Sequence, residues 1–187
     1  DGARRAKYLG VIRSQLTALS EMVERILTMS REEREDFTLR RARILLAGML
    51  GALAEKFRMQ AAKPARVTVD VSPERLTAFA DRFHLSHALD NLVDNALKHG
   101  ASGLAVAMTV RRDGDMAEID VADRGPGIPE EQRVGALKRF GRLDTARTTP
   151  GSGLGLSLAA TLARMHDGEA FAKSAHGETE IGVRLAG

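Results

Sequence analysis

The spacing of the apolar residues changes at Pro64, and this change constrains the fold more than any other feature of the chain. Over residues 41–60 the apolar residues recur at helical intervals, which predicts a helix that Pro64 prevents from continuing. Beyond the proline, Val67, Val69 and Val71 alternate with polar residues, as in a strand. The chain therefore has to join a helical layer to a sheet.

The rest of the chain continues to mix these two patterns. Residues 85–99 and 153–166 have helical spacing, and residues 125–151 look like a long loop with a short helix near Pro129. Further strands are predicted at residues 104–110, 117–121, 169–173 and 179–185. Helices and largely antiparallel strands in this order predict an α+β fold, a two-layer sandwich with one layer of each.

The first 36 residues have a pattern of their own. Apolar residues there alternate in steps of four and three, the a/d spacing of a helical bundle: Ile12, Leu16, Leu19, Val23 and Ile26. Such a helix packs either on a partner helix or on its own domain. The densely charged residues 30–36 indicate a solvated helix end or a linker. We therefore divide the chain into a helix-bundle segment at residues 1–36 and a domain at residues 37–187.

Composition and charge exclude several classes of protein. The chain has no Cys, so disulfides, thiolate chemistry and Cys-ligated zinc are ruled out. Its 28 Lys and Arg are interleaved with 25 Asp and Glu, which argues against a nucleic-acid partner. No apolar run approaches the roughly 18 residues of a membrane span. Because the sequence starts at Asp1 without a Met, we expect a cytoplasmic piece of a longer protein, whose membrane segments would lie outside it.

A first polar motif lies on the helix predicted at residues 85–99. Asn91 and Asn95 are four residues apart and Lys98 follows three later, so all three lie on one helical face, opposite the apolar face. Amide oxygens suit Mg²⁺, and an ammonium one turn further on can meet a phosphate. The same pattern also fits the polar face of an ordinary surface helix.

A second motif follows directly after a predicted strand. It consists of Asp123, Gly125, Gly127, Ile128 and Pro129, with Arg and Pro between them. A carboxylate at a strand end can accept a hydrogen bond from an exocyclic amine such as that of adenine, and the glycines allow positive φ and close approach of the backbone. A simple turn would have the same composition.

A third motif, Gly151-Ser-Gly153-Leu154-Gly155, stands at the start of a predicted helix. Glycines there expose backbone N–H groups at the positive end of the helix, which favours a phosphate. The motif is not a dinucleotide fingerprint, because no parallel βαβ unit precedes it. It is not a Walker A loop either, since no Lys-Ser or Lys-Thr follows the last glycine.

The order and spacing of the three motifs are those of a known family. Residues 85–185 resemble the GHKL ATPases, which have the Bergerat fold, and among them the sensor histidine kinases. Residues 91–98 resemble the N box of that family, residues 123–129 the G1 box and residues 151–159 the G2 box. Residues 138–144, with Arg139 and Phe140, resemble the F box of the lid, and Thr179 resembles a late threonine that helps to hold adenine.

The resemblance implies a site for ATP and Mg²⁺. It assigns the metal to Asn95 with Asn91 beside it, a phosphate to Lys98 and adenine to Asp123, and the first three would be the catalytic residues. The implied nucleotide-contacting residues are Asn91, Asn95, Lys98, Asp123, Gly125, Gly127, Ile128, Arg139, Phe140, Gly151, Gly153, Leu154, Gly155 and Thr179.

The resemblance also implies a reaction and partners. Such a protein transfers the γ-phosphoryl group of ATP to a histidine on a helical hairpin and then to an aspartate of a response regulator. Residues 8–30 resemble the second helix of this dimerisation and phosphoacceptor hairpin, so we expect a homodimer in the full-length protein and a longer protein that membrane segments can anchor. The hairpin belongs to the same subunit or to the partner subunit.

The phosphoacceptor histidine itself is missing from this pattern. The five histidines are His84, His87, His99, His166 and His176, and none has the sequence context of an acceptor. We therefore expect no autophosphorylation of this chain. Two alternatives stay open: a serine kinase of the anti-sigma-factor type, which shares these boxes, and a non-catalytic nucleotide-binding module that signals by shape.

Overall fold

The computed structural model describes residues 39–60, 67–100, 105–138, 155–175 and 177–187. These ranges contain seven strands and four helices. In chain order they are β1 Arg41–Leu45, α1 Leu46–Gln60, β2 Val67–Ser72, β3 Thr77–Asp81, α2 Arg82–His99, β4 Val106–Asp113, β5 Met116–Asp123, α3 Glu130–Ala136, α4 Gly155–Met165, β6 Glu169–Ala175 and β7 Glu178–Ala186.

The main sheet has five strands in the order β2-β4-β5-β7-β6. The pair β2–β4 is parallel and the other three pairs are antiparallel. Helices pack on this sheet and on one another, α2 against α4 and α4 against β6 and β7. The predicted α+β sandwich, with largely antiparallel strands, is confirmed.

Aliphatic side chains fill the space between helices and sheet. Those on the helices include Leu50, Leu89, Leu92, Leu158 and Leu162, and all of these are almost fully buried. Met108, Ile119 and Leu185 meet them from three neighbouring strands. Removing a side chain of this size from water contributes roughly 2 kcal/mol, so this layer is the main source of stability for the sandwich.

The helix predicted over residues 41–60 was wrong at its start. Residues 41–45 form β1, which pairs antiparallel with β3 in a separate two-stranded sheet, and helix α1 begins only at Leu46. The run Ile44-Leu45-Leu46 fits a helical spacing, but Ile44 is buried while Leu45 is half exposed, as alternation along a strand requires. Strand β3 was not predicted, because its small alternating residues carry a weak signal and its partner lies far away in sequence.

Several predictions fall on residues outside the described ranges. They are the helix with the Ile12–Ile26 seam, the charged linker at residues 30–36, Arg139 and Phe140 of the lid, and Gly151, Gly153 and Leu154. The segment at residues 1–36 and the boundary at residue 37 stay predictions. Among the helices of the described ranges, none combines the length and the apolar character needed to cross a bilayer.

Candidate functional site

The polar face of α2 runs from the interior to the surface. Asn91 is buried with 6% of its surface exposed, Asn95 is half-buried and Lys98 is exposed. Because α2 is continuous from Arg82 to His99, the spacing of four and three puts these side chains in one row. The row therefore offers two amides of decreasing burial and then an ammonium near the C-terminal end of the helix.

Both ends of this row already have partners within α2. The side-chain Nδ2 of Asn91 donates to the backbone oxygen of His87 at 2.7 Å, which fixes the amide and leaves its Oδ1 as the atom available to a cation. The Nζ of Lys98 lies 2.5 Å from Asp94 Oδ2, one turn away. A phosphate at this position would compete with Asp94 for the ammonium.

The neighbouring carboxylate Asp90 is held by another element. Its Oδ1 lies 2.7 Å from Nζ of Lys56 on α1. Asp90 and Asp94 thus each form an ion pair at the surface. Neither carboxylate belongs to the row formed by Asn91, Asn95 and Lys98, which we call the amide row.

Asp123 is the last residue of β5 and is buried, with 6% of its surface exposed. The C-terminal end of α2 abuts it. A Cβ added at Gly100 would lie 3.3 Å from Asp123 Cβ, and one added at Gly125 would lie 2.7 Å from Asp123 Oδ1 and 2.9 Å from His99 O. The two glycines therefore allow the end of the helix and the loop after β5 to close around the carboxyl group.

Burial raises the pKa of Asp123 above its ordinary value. The N–H of Gly125 donates a hydrogen bond to the carboxyl group and, with the nearby His99, acts in the opposite direction, but burial prevails. A carboxylate with so few donors around it is expected to gain strongly from a donor supplied by a ligand.

A row of polar side chains continues from Asp123 across the sheet. Thr179 on β7 is the register partner of Asp123, and Ser174 on β6 is the register partner of Thr179. Thr179 is buried, with 4% of its surface exposed. The carboxyl group and the two hydroxyls therefore lie side by side on three adjacent strands.

The loop after β5 reaches this row through Ile128. Its backbone N–H donates to Ser174 Oγ at 3.0 Å, and Gly127 before it has φ +81°, a conformation that favours glycine. The sequence motifs had located Asp123, Gly127, Ile128 and Thr179 but missed Ser174. Only strand register brings Ser174 to Thr179, and no local motif reveals register.

The glycine motif before α4 is described only from Gly155, which is the first residue of that helix. Within the described residues, the helix predicted at residues 153–166 runs from Gly155 to Met165, and α4 packs beside α2. The remaining predicted contacts, Arg139, Phe140, Gly151, Gly153 and Leu154, lie outside the described residues.

Comparison with known proteins now identifies the chain. Residues 80–186 match the family described as histidine kinase-, DNA gyrase B- and HSP90-like ATPases. The chain belongs to this ATPase family. The match contains α2, Asp123, the G2 helix α4 and Thr179, so the boxes named from sequence fall within the matched domain.

Relatives place the chain with the histidine-kinase members of these ATPases. The sensor protein VanS of Enterococcus faecium is 27% identical over 184 residues, which is 97% of this chain and 48% of VanS. The histidine-protein kinase/phosphatase MprB of Mycobacterium avium is 43% identical over 101 residues, 54% of this chain and 19% of MprB. The chain therefore spans less than half the length of these two relatives.

A solved structure supports the same assignment. Full-length ShkA in complex with AMPPNP superposes with a TM-score of 0.81 at 26% sequence identity, over 96% of this chain and 38% of ShkA. The resemblance to the ATP-binding domain of sensor histidine kinases is confirmed.

Proposed function

We propose that this chain binds Mg-ATP and provides the catalytic domain for a reaction that transfers the γ-phosphoryl group to a histidine. The observation that carries the proposal is the buried, poorly solvated carboxyl group of Asp123, which lies beside Thr179 and the end of α2. Membership of the ATPase family supports it. The catalysis in such a transfer consists mainly of positioning and charge stabilisation.

At the adenine end, Asp123 accepts a hydrogen bond from the exocyclic amine, and Thr179 lies next to it to contact the ring. The loop that contains Gly125, Gly127 and Ile128 provides a wall where the backbone comes close to the base. This role fits the raised pKa of Asp123, because a donor from the ligand replaces hydration that the carboxyl group lacks.

At the phosphate end, the amide row of α2 faces the metal. Asn95 and Asn91 would hold Mg²⁺ through their side-chain oxygens, and the fixed amide of Asn91 fits that role because its nitrogen is already bonded to His87. When bound, Mg²⁺ would neutralise negative charge on the phosphates. Lys98 would leave Asp94 to meet a phosphate, while Gly151, Gly153, Leu154 and Gly155 would offer N–H groups at the start of α4.

The lid completes the proposed site. Arg139 and Phe140 would approach the nucleotide when the lid orders on binding, and lid opening would release product. Both residues follow Lys138, the last described residue after α3 and its C-cap Leu137.

The partners in this proposal follow the sensor-kinase relatives. The acceptor is a helical hairpin of the same or the partner subunit, with residues 1–36 as part of it, and the phosphoryl group then passes to the receiver domain of a response regulator. The full-length protein is proposed to be a homodimer without nucleic acid as a partner. The chain would work in the cytoplasm, where ATP is available, and anchoring of the longer protein in the inner membrane is compatible with this placement.

Calorimetric titration with a non-hydrolysable ATP analogue tests the site. We expect saturable binding that weakens when Mg²⁺ is withheld. Asn95→Ala should lower the affinity in Mg²⁺ by at least about tenfold, because replacing even a residue that only contacts a metal ligand typically weakens metal binding by that factor. Asp90→Asn is the matched control on the same helix and should change nothing. Absence of binding by the wild-type chain with and without Mg²⁺ would refute the proposal.

Phosphoryl transfer is tested separately with labelled ATP and added hairpins from related sensor kinases. Acid-labile label on a hairpin would indicate phosphohistidine, as proposed. Acid-stable label would indicate phosphoserine and a kinase of the anti-sigma-factor type. Good ATP binding without label on any hairpin would favour the non-catalytic signalling module instead.

A further inference from the structure

The loop after β5 is held by both polar groups of one residue. The N–H of Ile128 donates to Ser174 Oγ at 3.0 Å, and its carbonyl oxygen accepts from Nε of Arg133 at 3.2 Å. Nη2 of Arg133 also donates to the backbone oxygen of Ser174 at 3.0 Å. Ile128, Arg133 and Ser174 thus form a closed ring of three hydrogen bonds, which we call the loop clamp.

Burial makes the loop clamp rigid. The Ile128 side chain is buried with 6% of its surface exposed, while Arg133 and Ser174 are half-buried. The guanidinium of Arg133 bridges two carbonyl oxygens from different elements, the loop and β6, and its planar fork fixes the distance between them. A lysine at this position would keep the charge but lose that geometry.

The loop clamp also leaves Ser174 in a position to donate to Thr179. Because Ser174 Oγ accepts from Ile128, its own hydroxyl proton is free to point elsewhere, and Thr179 Oγ1 lies 3.5 Å away. If Ser174 donates across this long contact, Thr179 accepts, and the hydroxyl proton of Thr179 is directed towards a ligand. The site then presents an acceptor, Asp123, beside a donor, Thr179.

An acceptor beside a donor is complementary to the hydrogen-bonding edge of adenine but not to that of hypoxanthine or guanine. Adenine offers an amine donor at C6 beside an acceptor at N1, whereas hypoxanthine and guanine offer a carbonyl acceptor beside an N–H donor. Sites that leave a buried polar group unpaired with the wrong ligand discriminate strongly. Orientation of the Thr179 hydroxyl would therefore contribute to the choice of base.

We infer that Ser174 and Arg133 are positioning residues that set the preference of this site for adenine, an inference that rests on the proposed function. Ser174 orients the Thr179 hydroxyl and holds the loop, and Arg133 locks the loop to β6. Because Arg133 lies on α3, its bond to the backbone oxygen of Ser174 also ties that helix to β6.

The test compares the affinity of the chain for ATP and inosine triphosphate, both with Mg²⁺. Wild-type protein should prefer ATP by about 100-fold or more, because both base contacts are reversed in inosine. Ser174→Ala should reduce this ratio by about tenfold, and Ser174→Thr, which keeps the hydroxyl, should restore most of it. If Ser174 had a purely structural role, Ser174→Ala would lower the melting temperature and weaken the binding of both nucleotides equally, so the ratio of affinities would not change.

Variants of Arg133 separate the loop clamp from simple charge. Arg133→Lys and Arg133→Gln should both reduce the ratio, since neither keeps the fork that bridges two carbonyls. Arg164→Gln is the matched control, because Arg164 is an exposed helical arginine that donates to Thr161 on its own helix and, within the described residues, takes no part in the loop clamp. If Ser174→Ala lowers the folded fraction, the Arg133 variants decide, since they change a half-buried helix side chain.

The outcomes distinguish this inference from the function on which it rests. If the wild-type chain binds neither nucleotide, the proposed function fails and the inference fails with it. If the wild type prefers ATP and the ratio is unchanged in Ser174→Ala and in Arg133→Gln, the proposed function survives and the loop clamp has no role in base selection. A full ratio in Arg133→Lys with a reduced ratio in Arg133→Gln would show that Arg133 acts through charge alone and would overturn its part of the proposal.

Discussion

The two ends of α2 each meet a buried aspartate, and the two aspartates differ in what surrounds them. At the N-terminal end, Asp81 caps the helix and accepts from the backbone N–H groups of Phe83 and His84 at 3.0 and 3.2 Å. It also accepts from the N–H of Arg40 at 2.9 Å. At the C-terminal end, Asp123 has the N–H of Gly125 and a nearby His99.

The pKa values of the two carboxyl groups move in opposite directions. Burial acts to raise both, but the hydrogen bonds from Arg40 and His84 hold the pKa of Asp81 below its ordinary value. The pKa of Asp123 is raised, because the hydrogen bond from Gly125 and the nearby His99 do not compensate for burial. The protein supplies several hydrogen-bond donors to Asp81, which stabilise the fold, whereas burial outweighs the donor of Asp123, which we propose gains a further donor from a ligand.

The largest expected effect is at the C-terminal end of α2, where Asp123 lies. Asp123→Asn should weaken ATP binding by about 100-fold, equivalent to about 3 kcal/mol, because a charge-assisted bond to the base is lost. The free energy of unfolding should stay the same or rise, since a buried carboxylate with a raised pKa destabilises the fold when it is ionised. Calorimetry and urea denaturation of the same preparation would measure both, and unchanged ATP affinity would contradict the assignment.

The second prediction concerns the other end of the helix. Asp81→Ala should lower the free energy of unfolding by about 2 kcal/mol, because the cap and the bond to Arg40 are lost together. ATP affinity of the folded protein should change by only a few fold. Asp81→Asn keeps an acceptor oxygen and should lower the free energy of unfolding by less. A large loss of ATP affinity in a well-folded Asp81→Ala protein would contradict the proposed difference between the two ends of the helix.

The third prediction is a pH dependence at the N-terminal end of α2. His166 is buried after α4, where its Nδ1 lies 2.7 Å from Leu162 O and its Nε2 accepts from the N–H of Asp81 at 2.9 Å. Burial, with the nearby Arg41, holds the pKa of His166 below its ordinary value. The folded state therefore binds this proton less well than the unfolded chain, and protonation removes the acceptor for Asp81.

Its contribution to stability should accordingly be complete above pH of about 6.5 and lost as the pH falls from there to the folded pKa. The expected slope in this window is at most about 1.4 kcal/mol per pH unit, the limit for one proton. Urea denaturation across the window should show the slope in wild type and a flatter dependence in His166→Gln. Equal slopes in the two proteins would assign the effect to other groups.

The smallest effect is expected midway along α2. The pair Lys56–Asp90 joins α1 to α2 at the surface, where an exposed ion pair contributes only about 0.5 kcal/mol. Lys56→Met should therefore change neither stability nor ATP affinity by more than that, and the small difference should shrink in high salt. A loss above about 2 kcal/mol would mean that the middle of the helix matters as much as its ends.

Local signals account for what the sequence could predict. Helix α2, strands β4 to β7 and the start of α4 follow from apolar spacing and glycines within short windows, and the boxes located Asp123, Thr179 and the amide row. Strand β1 was misassigned, because an apolar run fits a helix until its partner β3 is known. The loop clamp was missed for the same reason, since Ser174 meets Thr179 and Ile128 only through register and a distant loop.

The sequence also could not predict which individual polar side chains are buried. The spacing put Asn91, Asn95 and Lys98 on one face, but it could not reveal that Asn91 is buried and bonded to His87. The hydrogen bond from Asp81 to His166, which joins the ends of two helices, depends on packing between elements 85 residues apart.

The most direct measurement is an NMR titration of the Asp123 carboxyl group with and without the Mg²⁺ complex of a non-hydrolysable ATP analogue. Asp120, three residues earlier on the opposite face of β5, is the internal reference, since burial also raises its pKa and Thr109 already donates to it. The account predicts that nucleotide lowers the pKa of Asp123, because a donor reaches its ionised form, and leaves that of Asp120 unchanged. An Asp123 pKa that does not respond to nucleotide, or a response at Asp120 instead, would contradict the account.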